Sequence, residues 1–325
     1  MMAFGVAIIG TGGIARKMAH TLRDMEGARL RAVVSRRRET AGAFAAEWGA
    51  ERAYDSCEAM LADPGVELVY IATPHPMHRG DALKCIEAGK PVLCEKPFTV
   101  NAREAEEVLA LAARRNVYVA EAIWTRYMPL TRTMQEIVAR GDIGTPRMVT
   151  ANLGYPNAAM ERMWNPALAG GALLDLGVYT VNFAAMIFPG DPAAVTSTCT
   201  RLASGVDGQN SIAFGYPGGE MALLSSSLTA RTDRQGTVAG DRGFLIVENI
   251  NNPASITVYD FDYRPVARYD APAQITGFEY QVRAAVDAIR AGRIETPFMP
   301  HAETLRVMRL MDGVRADWGL RYPFE

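Results

Sequence analysis

The sequence predicts an α/β protein in which a doubly wound parallel sheet comes first and an α/β domain with a large, mostly antiparallel open sheet follows. Two patterns predict this order. In the first third, short apolar runs alternate with amphipathic helical patterns, whereas later β-rich segments are separated by turn residues without long helices. The length of 325 residues and the hydrophobic content of 49% are enough for two cores. We place the domains at residues 1–122 and 123–325.

A glycine-rich turn follows the first predicted strand, residues 4–9. A helical pattern comes directly after it, and Gly10, Gly12 and Ala15 match the spacing GxGxxG/A. In that motif one glycine makes the turn, the second admits a pyrophosphate, and the small third residue lets the helix pack on the strand. Free N–H groups at the helix start then bind phosphates. The predicted cofactor contacts here are Gly10, Thr11, Gly12, Gly13 and Ile14.

A basic run follows the second predicted strand, residues 29–34. An NAD site commonly has an acidic residue here for the ribose 2′-hydroxyl, but Ser35 is followed by Arg36, Arg37 and Arg38. Arginine binds phosphate through paired donors and stacks on adenine, so the run favours NADP over NAD. Ser35, Arg36 and Arg37 are the predicted contacts. A solvated basic turn and a nucleic-acid contact are the alternatives.

Polar side chains lie at or directly after the ends of the next two predicted strands, residues 66–72 and 91–97. The carboxyl ends of neighbouring parallel strands line the ligand crevice of a doubly wound sheet, so we expect these side chains at its rim. They are Thr73, His75, His78, Glu95 and Lys96. Turn or capping roles are the alternative for each. Asn101 and Glu104 then predict a capping box that opens the next helix, and a strand at residues 117–124 ends the alternation.

One segment of the second domain has a carboxylate within an apolar run. Residues 170–183 read GGALLDLGVYTVNF, with Asp175 among leucines and Tyr179 four positions later. An unpaired buried carboxylate costs several kcal/mol, so Asp175 is expected to have a partner, a task or access to water. Helical spacing would put both side chains on one face, with Gly170 and Gly171 opening the helix. Capping and core packing are the alternative roles.

The composition argues against several classes of protein. A formal net charge of -2 argues against a general nucleic-acid binder. No apolar stretch is expected to reach the roughly 20 residues of a membrane helix, and the first residues lack the features of a signal peptide, so a cytoplasmic location is expected. The four cysteines have no CxxC spacing and His75 and His78 have no third ligand nearby in sequence, so no metal is predicted.

Several motifs, in order, resemble those of the Gfo/Idh/MocA oxidoreductases. They are GTGGIA after the first strand, then ATPHPMH, CEKP, EAIWTRYMP and GGALLDLGVY. The ending MRLMDGVRADWGLRYPFE is similar to the branch that contains dimeric dihydrodiol dehydrogenases and D-xylose dehydrogenases. The resemblance spans almost the whole chain. It implies an NAD(P)-binding Rossmann domain and a substrate-binding domain whose sheet forms a homodimer face.

The resemblance also implies roles for individual residues. Lys96 of the EKP motif, Asp175 and Tyr179 are implied around the nicotinamide and the substrate. Tyrosine replaces the histidine of inositol dehydrogenases, which is similar to the dihydrodiol and xylose dehydrogenase branch and argues against inositol as the substrate. The other implied or candidate contacts are Trp124 and Arg126 near the cofactor, and Trp164 in a loop that could line the entrance or lie on the surface.

The expected reaction is hydride transfer between a nicotinamide and a carbinol or carbonyl carbon. Tyr179 is the candidate acid or base. Because a phenol has a pKa of about 10 in water, it needs a nearby cation, for which Lys96 is the candidate. Asp175 would hold the substrate hydroxyl or orient the other two side chains. The expected substrate is a sugar, a polyol or a trans-dihydrodiol, and the alternative is a catalytically silent NADP-binding sensor or partner protein.

Overall fold

The structure is a computed structural model that describes residues 3–325, and it divides into two compact units. The first unit holds the residues up to Trp124 and the later segment Ala273–Leu305. The second unit holds Thr125–Pro272 and Arg306–Glu325. The chain therefore returns to the first unit after completing most of the second, whereas the sequence predicted two contiguous domains that meet after residue 122.

A six-stranded parallel sheet forms the centre of the first unit. Its strands are β1 Phe4–Ile9, β2 Ala28–Val34, β3 Arg52–Tyr54, β4 Leu68–Ile71, β5 Val92–Glu95 and β6 Val119–Ala122. The order β3-β2-β1-β4-β5-β6 confirms the predicted doubly wound sheet. Every residue of β1, β4, β5 and β6 is buried, as expected when helices cover both faces of a parallel sheet.

Helices connect these strands. They are α1 Gly13–Asp24, α2 Arg38–Trp48, α3 Cys57–Leu61, α4 His78–Glu87 and α5 Ala102–Arg115. The predicted cap of α5 is confirmed, because the Asn101 side chain accepts a hydrogen bond from the Glu104 N–H at 3.0 Å. The same helix ends at Asn116, whose φ of 52° lies in the left-handed region that asparagine tolerates.

The returning segment contains α9 Glu279–Arg290 and the first residues of α10 His301–Asp317. It is bound to β6, because the Val119 N–H donates to the Ile294 carbonyl at 2.9 Å and His301 Nε2 lies 2.8 Å from the Val119 carbonyl. The boundary between the units falls within α10, after Leu305.

An eight-stranded sheet forms the second unit. Its strands are β7 Pro146–Gly154, β8 Ala194–Arg201, β9 Asp207–Gly215, β10 Met221–Ser227, β11 Gly236–Gly240, β12 Gly243–Glu248, β13 Ser255–Asp260 and β14 Pro265–Asp270. The order is β14-β13-β12-β11-β7-β10-β9-β8. Within the described residues of this second sheet, only β7 and β10 pair in parallel. The predicted large, mostly antiparallel sheet is therefore confirmed. The remaining helices of this unit are α6 Pro129–Arg140, α7 Glu161–Trp164 and α8 Val178–Ile187.

One apolar segment passes the length and composition test for a membrane span. It is Pro166–Ile187, with 22 residues, and the expectation that no stretch would qualify is therefore wrong. The physical reason for its composition is burial, because 94% of the tested window lies inside the protein. A helix that is surrounded by the core is hydrophobic on all sides.

Candidate active site

The glycine turn after β1 has the close packing that the motif requires. Gly10 has a φ of +110°, a conformation that side chains with a Cβ rarely adopt. A Cβ at this position would lie 2.7 Å from the Ala72 carbonyl oxygen, which ends the neighbouring strand. The Gly10 N–H donates to the Val34 carbonyl at 3.0 Å. Only glycine fits where the turn passes between the ends of these two strands.

Open space lies in front of the start of α1. Gly12 is the N-cap of the helix, and a Cβ built on Gly12 or Gly13 would meet no atom within 4 Å. Ile14 is 38% exposed although it is apolar, whereas Ala15 is fully buried against the sheet. No acidic residue lies in the first turn of α1. The turn therefore has room and free N–H groups for a pyrophosphate, and Ile14 offers an apolar contact beside it.

The basic run after β2 is available to bind an anion. Ser35 donates its N–H to the Tyr54 carbonyl at 3.2 Å, and the next three side chains are exposed. Arg38 lies 3.9 Å from Asp55, but no carboxylate within residues 3–325 pairs with Arg36 or Arg37. The two arginines thus have free guanidinium groups, which suit a 2′-phosphate.

His78 is a buried side chain that contacts two backbone carbonyls near the predicted site. It is fully buried, with Nδ1 2.9 Å from the Pro97 carbonyl and Nε2 2.9 Å from the Thr73 carbonyl. Burial lowers the pKa of His78, and a neutral imidazole donates to only one of these carbonyls. His78 therefore joins the turns that follow β4 and β5 and has no ring nitrogen free for a cofactor. His75 is half-buried, with its ring centroid 5.7 Å from that of His78, and stays in the proposed site.

Lys96 follows β5 and is half-buried, and its peptide bond to Pro97 is cis. The Glu95 carboxylate is buried and accepts hydrogen bonds from the Tyr70 hydroxyl and, at 3.2 Å, from the Lys96 N–H. Burial raises the pKa of Glu95. Glu95 thus fixes the backbone that carries Lys96. Its predicted contact with the cofactor stays a prediction. Thr73 donates its hydroxyl to Asp81 at 2.8 Å and shapes the neighbouring turn.

Lys17 of α1 lies between two aromatic rings. Its Nζ is 3.8 Å from the ring centroid of Trp124 and 4.3 Å from that of Phe278. Burial lowers the pKa of Lys17 to about 8, against the opposing charges of Glu95 and Glu279. Trp124 therefore packs inside the first unit beside a cation. The sequence offered no signal for Lys17, because its partners come from β5, the end of the first segment and the returning segment.

The segment that carries Asp175 begins as a π-helix, Leu173–Gly177, and continues as α8. The sequence predicted a regular helix opened by Gly170 and Gly171. Instead, Gly171 has a φ of +128°, and the Leu173 N–H donates to the Asp207 carboxylate at 2.7 Å. A side chain thus satisfies a backbone donor at the helix start. Single π turns of this kind are frequent at functional sites.

Arg162 is the partner that the buried Asp175 requires. Its Nη1 lies 2.7 Å from Asp175 Oδ1, and its side chain remains 49% exposed whereas Asp175 is buried. The pair is therefore anchored at the carboxylate and open at the guanidinium. Arg162 belongs to α7, whose last residue, Trp164, is 40% exposed. The predicted proximity of Lys96 to Asp175 stays a prediction.

Tyr179 lies on α8 and is largely buried. Arg126 is also buried and donates from Nε to Asn182 Oδ1 at 2.6 Å, while Asn182 Nδ2 donates to the Val178 carbonyl at 2.8 Å. Arg126 therefore supports the helix that carries Tyr179. Its predicted role near the cofactor stays a prediction.

Asp207 is a buried acid that the sequence did not single out. Its Oδ2 accepts hydrogen bonds from the Leu173 N–H and from Asn210 Nδ2, at 2.7 Å and 2.9 Å. Ser226 in turn donates to Asn210 Oδ1 at 3.1 Å. Burial raises the pKa of Asp207 to about 6, although the two hydrogen bonds oppose the shift.

Across residues 3–325, no group of three or more His, Cys, Asp or Glu side chains could hold a metal ion.

Replacing Asp207 by asparagine is expected to remove a pH dependence of stability. Because burial raises the pKa of Asp207 from 3.8 to about 6, the folded state binds this proton more tightly than the unfolded state. The free energy of unfolding therefore falls as the pH rises from about 4 to about 6, by about 3 kcal/mol for this group. Urea unfolding across that range should show the difference between variant and wild type changing by this amount.

A difference between Asp207→Asn and wild type that stays constant with pH would contradict the assigned shift.

A parallel sheet whose first glycine turn is open to a pyrophosphate defines a dinucleotide-binding class of enzyme. Comparison of the chain with models of known protein families identifies the same class of enzyme. Residues 4–122 match the model described as oxidoreductase family, NAD-binding Rossmann fold, and residues 131–246 match the GFO/IDH/MocA C-terminal domain. The chain belongs to the Gfo/Idh/MocA family of oxidoreductases.

Individual relatives match the chain over nearly its whole length. Trans-1,2-dihydrobenzene-1,2-diol dehydrogenase of Mus musculus is 31% identical over 335 residues, which cover 99% of both chains. The structure of KijD10, a 3-ketoreductase from Actinomadura kijaniata in complex with NADP and TDP-benzene, has 25% identity, a TM-score of 0.86 and coverage of 97% and 98%. Aldose-aldose oxidoreductase from Caulobacter crescentus shares the fold, with 23% identity, a TM-score of 0.87 and coverage of 98% and 99%. The predicted family resemblance is confirmed.

Proposed function

We propose that this protein is an NADP-dependent dehydrogenase or reductase that acts on a hydroxyl or carbonyl group of a sugar, a polyol or a trans-dihydrodiol. The observation that carries the proposal is the Arg162–Asp175 pair, in which Asp175 lies on the π-helix before Tyr179 and Arg162 lies on α7. A buried carboxylate whose arginine partner stays half-exposed offers both a hydrogen-bond acceptor and donors to a molecule with neighbouring hydroxyl groups. Well-packed apolar side chains would stabilise the core at least as well as such a pair, so packing alone does not explain it.

Relatives support the cofactor and the substrate class. KijD10 is crystallised with NADP, and the mammalian relatives are named for a trans-dihydrodiol. In this chain the exposed Arg36 and Arg37 favour the 2′-phosphate of NADP, so NAD is the less favoured cofactor. The proposed cofactor contacts also include Gly10 to Ile14, Ser35, Thr73, His75, Lys96 and Trp124.

The chain's own residues are proposed to position the substrate and move its proton. A nicotinamide cofactor held at the turn Gly10 to Ile14 would supply the hydride chemistry. In the oxidation direction Tyr179 takes the proton of the substrate hydroxyl, and in the reduction direction it returns a proton to the carbonyl oxygen. Lys96 supplies a positive charge that favours the phenolate and donates to the reacting oxygen. Asp175, held by Arg162, accepts a hydrogen bond from a neighbouring substrate hydroxyl, and Trp164 covers the substrate.

A panel of aldoses, polyols, inositols and aromatic dihydrodiols, each with NADP and with NAD, tests the proposal. Formation of the reduced nicotinamide is followed by its absorbance. Turnover with NADP on at least one sugar, polyol or dihydrodiol is expected, with little activity on inositols. Tight NADPH binding without turnover on any member of the panel would instead favour a catalytically silent NADP-binding protein.

A homodimer through the second sheet is also proposed. Met148 and Met221 are directly paired on β7 and β10, and with Leu223 on the same face they are 42%, 47% and 43% exposed. Contiguous exposed apolar side chains on a sheet favour association. Light scattering after size exclusion should therefore give twice the chain mass, and Leu223→Asp should give a single-chain mass. A wild-type protein of single-chain mass would contradict this proposal. A cytoplasmic location without membrane or nucleic-acid partners stays a prediction.

A further inference from the structure

The turn formed by Gly170 and Gly171 lies at the start of the segment that carries Asp175, and it is bound to α7. The Gly171 N–H donates to the Met163 carbonyl at 2.9 Å, and the Gly170 N–H donates to the Asn165 carbonyl at 3.1 Å. A Cβ on Gly170 would lie 2.6 Å from the Met163 carbonyl oxygen. The turn is therefore in close contact with the helix that carries Arg162. A shift of the turn would move both members of the Arg162–Asp175 pair.

Asp207 holds this turn from the sheet side. A Cβ on Gly171 would collide with Asp207 Oδ1, and Asp207 Oδ2 accepts the Leu173 N–H. Asn210 and Ser226 extend the contact, because Ser226 Oγ also lies 3.3 Å from the Ala172 carbonyl. A buried, hydrogen-bonded carboxylate and its partners from β9 and β10 thus fix the backbone two residues before Asp175.

Tyr322 holds the same turn from the segment that follows α10. Its hydroxyl donates to the Gly170 carbonyl at 2.8 Å, and its ring is buried. The Arg315 guanidinium lies 5.0 Å from that ring and donates to both carboxylate oxygens of Glu325 at 2.9 Å. Glu325 in turn accepts the Tyr322 N–H at 2.9 Å. Tyr322 is therefore held in place by the Arg315–Glu325 ion pair.

We infer that Asp207 and Tyr322 are positioning residues, which set the place of the Arg162–Asp175 pair through the Gly170–Gly171 turn. The inference rests on the proposed function for the role of Asp175. Catalytic groups must be held within about half an ångström of a productive geometry, and supporting hydrogen bonds on neighbouring elements provide this precision. All contacts in this network lie within the second unit. Loss of one contact should therefore affect substrate turnover and leave NADP binding unchanged.

The test compares Tyr322→Phe with Tyr216→Phe. The first removes only the hydroxyl that binds Gly170, whereas Tyr216 is a buried tyrosine of the same unit that packs on Phe188 with ring centroids 4.9 Å apart. Amide hydrogen exchange of a peptide covering residues 165–178 is measured together with kcat and with the KM for substrate and for NADP. Asp207→Asn is the second variant, because it disturbs the turn from the opposite side.

Tyr322→Phe is expected to increase exchange in this peptide by roughly tenfold and to lower kcat by roughly tenfold, with the KM for NADP unchanged. Tyr216→Phe should change neither. Exchange equal to wild type in both Tyr322→Phe and Asp207→Asn would overturn the inference, and so would faster exchange with an unchanged kcat. A wild-type protein that is inactive on the whole panel would refute the proposed function, and the exchange of the turn would still decide whether the two residues hold it.

Discussion

Replacing Tyr179 by phenylalanine is expected to lower kcat by about 10²- to 10⁴-fold while NADPH still binds. The hydroxyl is the only group removed, and it is the proposed carrier of the proton that leaves or enters the reacting oxygen. Because the ring is largely buried on α8 and is retained, the fold should be preserved. Steady-state rates with the best substrate of the panel, and fluorescence titration with NADPH, measure the two effects separately.

Lys96→Met should cause a loss of similar size for a different reason. Methionine keeps the length of the side chain but removes the positive charge that is proposed to favour the phenolate. Lys84→Met, at an exposed lysine 3.6 Å from Glu58, is the matched control and should leave the rate unchanged. Near-normal rates in both Tyr179→Phe and Lys96→Met would overturn the assignment of the reacting groups.

Local signals predicted the parts of the site that depend on short stretches of backbone. Gly10 is recognisable because the turn between β1 and α1 needs a positive φ, and this requirement acts within one strand–turn–helix unit. Asn101 is recognisable because the capping side chain and the backbone N–H that donates to it lie three residues apart. The parallel, doubly wound sheet of the first unit was predictable because strands alternate with helices along the chain.

Contacts between distant parts of the chain had no such signal. Arg162 is separated from Asp175 by a turn whose course depends on Asp207 and Tyr322, so spacing alone could not pair them. The first N–H of the π-helix likewise has its acceptor in Asp207, far along the chain. The sequence patterns also did not predict strands β3 and β14. Strand β3 has only three residues, and β14 is mostly exposed and lacks an apolar face.

The same contrast explains the position of the cofactor residues. His78 and Glu95 lie at the predicted strand ends, but burial turns both into supports for the backbone around Lys96 and Pro97. A polar side chain at the end of a strand is exposed only where the turn that follows the strand does not cover it. Sequence patterns therefore placed these polar side chains at or beside strand ends, and they could not tell which of them face a ligand.

Replacing Arg36 and Arg37 together by alanine is expected to raise the KM for NADP by about 10- to 100-fold and to leave the KM for NAD nearly unchanged. Only NADP has the 2′-phosphate that these guanidinium groups are proposed to bind. No carboxylate in the described part of the chain pairs with either arginine, so their removal leaves no buried charge and should not destabilise the fold. Initial rates with each cofactor at saturating substrate provide the measurement.

Arg38→Ala is the control, because Arg38 already lies near Asp55 and is expected to contribute little. An equal loss with both cofactors would mean that the run supports the turn and does not read the phosphate. A strong NADP preference that survives the double substitution would assign that preference to Ser35, Arg38 and the backbone of the turn, which also offer donors beside the end of β2.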